Sequence, residues 1–217
     1  METTSRYADR RSAGRALGER LRTQELPDPL VLALPRGGVP VGVEVAAALH
    51  APVDIVVARK IGAPGRPELG VGAITAQGPP VFDADLLNRL GLHADQLAAT
   101  VEAERSEARR RVAAFRGDRA APTIGGRSVI VVDDGLATGV TARAAVRSLR
   151  EGNPGRLILG VPVGSWQAVA SLSEEVEVVC LLTPARFRAV GYHYRDFSQL
   201  DDDDVRALLR AARESAP

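Results

Sequence analysis

Five short, nearly uninterrupted apolar runs constrain this chain more than anything else in it: LVLAL at 30–34, VDIVV at 53–57, SVIVV at 128–132, RLILGVPV at 156–163 and VEVVCLL at 176–182. None alternates in the manner of a strand with one wet face, so each reads as a strand covered on both sides. Segments of helical pattern intervene, such as VPVGVEVAAALH after the first run and SWQAVASLS before the last. Strands that alternate with helices build a mainly parallel sheet flanked by helices, an α/β fold of Rossmann-like type. Ligands of such sheets sit beyond the carboxyl ends of the strands, so the residues that follow each run are the ones to read for chemistry.

The remaining segments fit around that core. Ala13, Leu17 and Leu21 predict an amphipathic helix between Tyr7 and Leu26. PVDIVVARK (52–60) reads as one strand ending in two cations, Arg59 and Lys60, and VGAIT as a third short strand. Between them IGAPGRPELG reads as a mobile loop, because Gly and Pro punctuate it. Residues 83–118 form a small helical elaboration, and DDDDVRALLRAARES predicts a terminal helix with acids at its start. At 217 residues a single domain over 1–217 is expected, its core at about 30–183.

Composition excludes several classes. The net charge is +1, so no global field draws nucleic acid or an anionic membrane, and any anion must be met locally. The Arg-rich stretch ERSEARRRVAAFRG carries interspersed Glu residues, which fits pairing along an exposed helix face better than a nucleic-acid surface. The single Cys180 lies in an apolar run, where an inert buried thiol is expected, and it rules out a disulfide scaffold. No apolar segment reaches spanning length and the N-terminus is charged, so the expectation is a cytoplasmic protein without a membrane partner.

The stretch VIVVDDGLATGVTARAAVRSLR (129–150) carries the chemistry. Asp133 and Asp134 stand where the strand ends, and Ala137, Thr138, Gly139, Val140 and Thr141 then lead into a helix. The first backbone N–H groups of a helix lack internal partners and point outward, and two Thr hydroxyls add donors, so the loop suits a phosphate. A helix terminus alone contributes roughly 0.3–1 kcal/mol toward an anion, which leaves the rest to those donors. Two carboxylates beside a phosphate loop fit a sugar phosphate, because an ionised Asp accepts from vicinal hydroxyls. The pair is also a hard-oxygen site suited to Mg²⁺. A second anion-ready turn, Pro35, Arg36, Gly37 and Gly38, follows the first run.

These residues resemble the phosphoribosyl-pyrophosphate (PRPP) binding motif of the type I phosphoribosyltransferases. The closest pattern is the adenine type, Asp-Asp-Leu-Leu-Ala-Thr-Gly-Gly-Thr; here Gly135 replaces the first Leu and Val140 the second Gly. The resemblance implies that Asp133 and Asp134 bind the ribose hydroxyls, with Mg²⁺ held through the ribose or water. It implies that 137–141 cradle the 5-phosphate and that 35–38 bind pyrophosphate, often through a strained or cis peptide. Arg36 and Lys60 would stabilise the departing pyrophosphate. The glycine-rich loop after Lys60 would close over the site, with Arg66 and Glu68 contributing. The hypoxanthine-guanine type has an Asp, assigned as the base acting on the purine, where this chain has Ala137.

On the acceptor side, PARFRAVGYHYRDF (184–197) resembles a family hood, at about 184–217 with help from the N-terminal helix, in which Phe187, Val190 and Tyr192 would hold a base. The chain has eight aromatic residues and four of them fall within 187–197. That concentration accords equally with a stacking platform and with a small satellite core. His193, as an acid or base, and Asp196, in a supporting or metal-binding role, are lesser candidates. The activity implied is Mg²⁺-dependent transfer of phosphoribose to a nucleobase, a purine before a pyrimidine, in nucleotide salvage by a homodimer. The competing reading is a regulatory protein that binds PRPP or a nucleotide without turnover.

Overall fold

The computed structural model describes residues 7–214. In chain order they form α1 (Arg10–Leu21), β1 (Pro29–Ala33), α2 (Gly38–Leu49), β2 (Val53–Ile55), β3 (Ala58–Ala63), β4 (Arg66–Thr75), β5 (Val81–Phe82), α3 (Ala84–Leu90), α4 (Ala98–Arg116), β6 (Ser128–Val132), α5 (Val140–Arg150), β7 (Arg156–Val163), α6 (Trp166–Ser173), β8 (Glu177–Leu182) and α7 (Asp202–Glu214). Five strands pair in parallel in the order β2-β1-β6-β7-β8. All five end at one edge, so the loops after β1, β6, β7 and β8 lie side by side.

Alternation within each strand assigns its residues to two helix layers. Val31, Ala33, Ile130, Val132 and Ile158 pack with α1, α2 and α7, whereas Val131, Leu159 and Val161 pack with α5 and α6. Both faces of every central strand are therefore covered, which is why these strands read as continuous apolar runs. Helix α1 lies tightly on α2, since a Cβ on Gly14 would stand 2.7 Å from Val41 O. Its start is fixed by Asp9, which accepts from Ser12 N–H at 2.7 Å and donates its own N–H to Ser12 Oγ at 3.1 Å.

Two expectations are corrected between residues 52 and 75. PVDIVVARK is not one strand: the chain leaves the parallel sheet after Ile55, and Arg59 and Lys60 belong to β3 of a separate three-stranded antiparallel sheet, β3-β4-β5. IGAPGRPELG is not a loop but most of a bulged β3–β4 hairpin that turns at Pro64 and Gly65, and VGAIT is the end of β4. This small sheet has one face on the α3–α4 segment, through Ile61, Val71, Ile74 and Leu97, and the other on α5, through Ala58, Ala73, Val140 and Ala144. Helix α7 starts at Asp202 after Asp201 and Asp204 exchange hydrogen bonds of 2.8 and 2.9 Å, so part of the acidic run serves as a helix cap.

Candidate active site

The site begins where β6 ends. Asp133 Oδ1 accepts from Asp134 N–H at 2.8 Å. Burial, then the neighbouring Asp134 charge, push the Asp133 carboxyl well above the usual carboxylate range. Burial also raises Asp134, and the Arg10 guanidinium offsets part of that effect. The Arg10 Nε to Asp134 Oδ2 distance is 2.8 Å, with both side chains nearly enclosed. No other residue donates a hydrogen bond to Asp134 Oδ1 among the described residues.

The loop after β1 rests on this pair. Because β1 and β6 are neighbours, Leu34 N–H reaches Val132 O at 2.8 Å, and the two turns emerge together. The Pro35–Arg36 peptide is cis. Gly37 faces the Asp134 carboxylate so closely that a Cβ there would stand 2.6 Å from Cγ, and one on Gly38 would stand 2.6 Å from Val132 O. The N–H groups of Arg36 and Gly37 donate to no backbone acceptor among the described residues. The Arg36 side chain is exposed, 3.8 Å from Asp202.

On the other side of the acids, the turn into α5 uses its carbonyls and leaves its donors. Leu136 O accepts from Ser165 N–H at 2.8 Å, Ala137 O from Ser165 Oγ at 2.7 Å and Gly139 O from Arg143 N–H at 2.8 Å. The backbone N–H groups of 137–141 and the hydroxyls of Thr138 and Thr141 make no hydrogen bond among the described residues. Gly139 holds φ at +78° immediately before the helix, a conformation glycine adopts without a Cβ penalty. Ala137, Thr138 and Val140 line a cavity of about 1110 Å³ that extends to Trp166, Arg186 and Phe187. A group with several oxygens has donors at its wall and open volume beside it.

Lys60 shares a face of its hairpin with Ala58 and Ala73, the face that rests on α5. Its ammonium is engaged within the hairpin, 3.0 Å from Glu68 O and 3.5 Å from Glu68 Oε2. Arg59 points the opposite way and pairs with Glu104 of α4 at 2.8 Å. The two cations are thus separated by strand alternation, and of the two only Lys60 is on the face toward α5.

The aromatic segment builds a satellite core and also lends one ring, Phe187, to the cavity wall. Tyr194 is buried and donates its hydroxyl to Asp134 O at 2.5 Å, and burial holds that hydroxyl far above its usual range. With Tyr7, Ala13 and Val163 it makes a satellite core on which Phe187 and Val190 pack. Val190 is also seated on Gly135, where a Cβ would stand 2.5 Å from its Cγ1. His193 is buried with its ring 5.8 Å from Phe187, and Asp196 caps Ser198 on the surface. Tyr192 is exposed, under Arg188, and Phe187 reaches the cavity.

Arg10 and Tyr194 are the two groups on the acids that sequence reading missed. Arg10 lies 124 residues from its partner, and no local pattern marks it. The N-terminal segment joins the hood directly, with Tyr7 N–H on His193 O at 2.9 Å and Arg195 N–H on Tyr7 O at 2.9 Å. Nothing in the composition of either segment announces that pairing.

Among the described residues no helix is long and apolar enough to cross a membrane. Residues 6–194 match the phosphoribosyl transferase domain model. Rv0571c of Mycobacterium tuberculosis, provisionally named a phosphoribosyl transferase, is 44% identical over 212 residues, which cover 97% of this chain and 48% of that protein. The chain therefore spans about half the length of the curated relatives it matches. The crystal structure of TT1426 from Thermus thermophilus superposes with a TM-score of 0.81 at 42% identity, covering 94% of this chain and 97% of that one. A hypothetical protein from Neisseria gonorrhoeae, solved with bound ppGpp, shares the fold at a TM-score of 0.53 and 17% identity over 96% of this chain and 95% of that one. With its acidic pair set between two loops of unused backbone donors, the chain belongs to the phosphoribosyl transferase domain family.

Proposed function

We propose that this chain transfers the 5-phosphoribosyl group of PRPP to a ring nitrogen of a nucleobase, a purine in preference to a pyrimidine, and releases pyrophosphate. One observation carries the reading: the Gly37 turn lies on Asp134 while the donor-rich 137–141 turn follows the same carboxylates. A ribose held by Asp133 and Asp134 would thus have its 5-phosphate toward one turn and its 1-pyrophosphate toward the other. The C1–O bond to pyrophosphate breaks with its electron pair going to the pyrophosphate oxygen, the acceptor nitrogen bonds to C1, and the proton that nitrogen loses passes to the released pyrophosphate.

Catalysis in this reading is positioning and charge stabilisation. Arg36 and the free N–H groups of Arg36 and Gly37 meet the leaving pyrophosphate. Lys60 reaches it by exchanging Glu68 for the new anion as the hairpin closes, which keeps water from a cationic sugar centre. The carboxylates favour that developing positive charge. Phe187 and Val190 border the acceptor, with Tyr192 at the rim.

The donor set fits Mg²⁺ of the kind that keeps several waters and binds mainly through substrate phosphates. Asp133 and Asp134 would hold it, directly or through ribose and water, and no group of three or more His, Cys, Asp or Glu residues forms a closed metal cage among the described residues. When bound, the ion would neutralise charge on the pyrophosphate.

Ala137 gives one specific reason for a second reading, a PRPP or nucleotide sensor, since it offers no carboxylate to take the acceptor proton. The two readings separate in an assay of pyrophosphate release from PRPP with Mg²⁺ across adenine, guanine, hypoxanthine, uracil and orotate. The transferase reading expects release with at least one purine that exceeds release with either pyrimidine. Saturable PRPP binding with no release for any acceptor would establish the sensor instead. The family resemblance also supports a cytoplasmic homodimer acting in nucleotide salvage.

A further inference from the structure

We infer that Arg10 is a positioning residue for the ribose: it compensates the charge of Asp134, fixes its orientation, and ties that carboxylate to the hood. The inference rests on the phosphoribosyl reading of the acidic pair. Arg10 is the first residue of α1, where a cation opposes the helix dipole and is unfavourable unless a partner elsewhere offsets it. That partner is Asp134, 2.8 Å from Nε, in a pair whose side chains are only 12% and 14% exposed. The same guanidinium donates to Ser198 O at 2.9 Å and stacks on Phe197 with Cζ 3.8 Å from the ring centroid.

Three contacts from three directions hold the guanidinium plane. Its bond to Asp134 reaches Oδ2 alone, so Oδ1 keeps its lone pairs for a ribose hydroxyl. Tyr194 fixes the backbone of the same residue through Asp134 O, and Gly37 approaches the carboxylate nearest its Oδ2. Asp134 also sits beside a second enclosed carboxylate, and two such charges side by side need a counter-charge to stay in place. Arg10 supplies it without occupying the position a substrate would take. Because Phe197 and Ser198 are themselves part of the hood segment, a base that shifts the hood would move Arg10 and so reach the ribose.

The test compares Arg10→Gln, Arg10→Lys and the wild type for ribose 5-phosphate, pyrophosphate and PRPP by titration calorimetry, with thermal melts alongside. Arg10→Gln should weaken ribose 5-phosphate and PRPP by about 10- to 100-fold, the range of one charge-assisted hydrogen bond, and pyrophosphate by less than about threefold. In turnover the loss should fall mainly on KM for PRPP. Arg10→Lys, which keeps the charge but not the fork, should recover part of the affinity.

A staple that merely holds α1 in place would lower the melting temperature and weaken both ligands alike, and that result overturns the inference. Unchanged ribose 5-phosphate affinity in Arg10→Gln overturns it as well. Should Arg10→Gln fail to fold, Arg10→Lys decides: ribose-selective weakening supports the inference, and wild-type affinity for both ligands ends it. A wild type that binds neither ribose 5-phosphate nor PRPP removes the phosphoribosyl reading and this inference together, whereas a wild type that binds both leaves that reading standing whatever the variants do.

Discussion

Asp133→Asn combined with Asp134→Asn is expected to weaken PRPP binding by roughly 100- to 10,000-fold while the chain stays folded, because hydrogen bonds to an ionised carboxylate are worth about 1.5–3 kcal/mol each and the double variant removes the charge from both. The two positions differ in what they do to the fold. Asp133 has its carboxyl raised above the usual range by burial and by Asp134. A group whose folded value lies above its unfolded value contributes stability at low pH and loses it as pH rises through the folded value. At neutral pH, Asn at 133 therefore removes a cost, and this single variant should melt no lower than the wild type.

Burial raises Asp134 as well, with Arg10 acting against that rise, so Asp134→Asn relieves a buried charge but leaves Arg10 enclosed without its counter-charge; removing one partner of a buried pair costs up to about 3–5 kcal/mol, and this variant should melt lower than Asp133→Asn. Titration calorimetry and melts of the two single variants and the double variant check these expectations. Unchanged PRPP affinity in the double variant would defeat the assignment of the ribose site.

Gly37→Ala should be nearly as damaging. The added Cβ overlaps the Asp134 carboxylate and stands 2.6 Å from Cγ, so either the Pro35–Gly38 turn or Asp134 must move. In the proposed site either movement displaces the groups assigned to pyrophosphate or to the ribose, and a shift of about 1 Å in a catalytic arrangement lowers turnover by roughly 100-fold. Stability should fall by about 1–3 kcal/mol, the usual consequence of forcing a methyl into a filled space. Gly125→Ala is the control: a Cβ there meets only Gly152 O, at 3.5 Å, and should change stability by under about 0.5 kcal/mol. Steady-state kcat/KM for the two variants measures the contrast; equal activities would mean that the Gly37 contact does not matter to the site.

The parallel sheet was readable because burial on both faces imposes continuous apolar runs, and β6 matches its run residue for residue, Ser128 to Val132. That the acids and the 137–141 turn adjoin was readable because strand, turn and helix are consecutive there. What hid the hairpin is that only Gly65 serves its turn, while Gly62 and Gly70 permit close contact within the pairing: a Cβ on Gly62 would stand 2.6 Å from Pro67 O. Composition cannot distinguish a glycine that permits approach from one that permits flexibility. Val56 and Val57 hid the break after Ile55, since a connection buried beneath helices is as apolar as a strand.

Arg10 and Tyr194 were illegible for a different reason. Their partnership with Asp134 exists only after the N-terminal segment pairs with the hood across the end of the sheet. A sequence reading weighs neighbours within a turn or two, and this contact spans 124 residues. The aromatic cluster shows the same limit. Residues 187–197 supply both a core, through Tyr194, and a cavity wall, through Phe187, and spacing alone does not say which ring does which.

If two separate anion turns flank one carboxylate pair, a competition titration must register both of them. PRPP with Mg²⁺ should bind the wild-type chain saturably, at one site per chain, and ribose 5-phosphate and pyrophosphate should each displace it on their own. Absence of saturable PRPP binding, or displacement by neither fragment, would show that the two turns do not form one site.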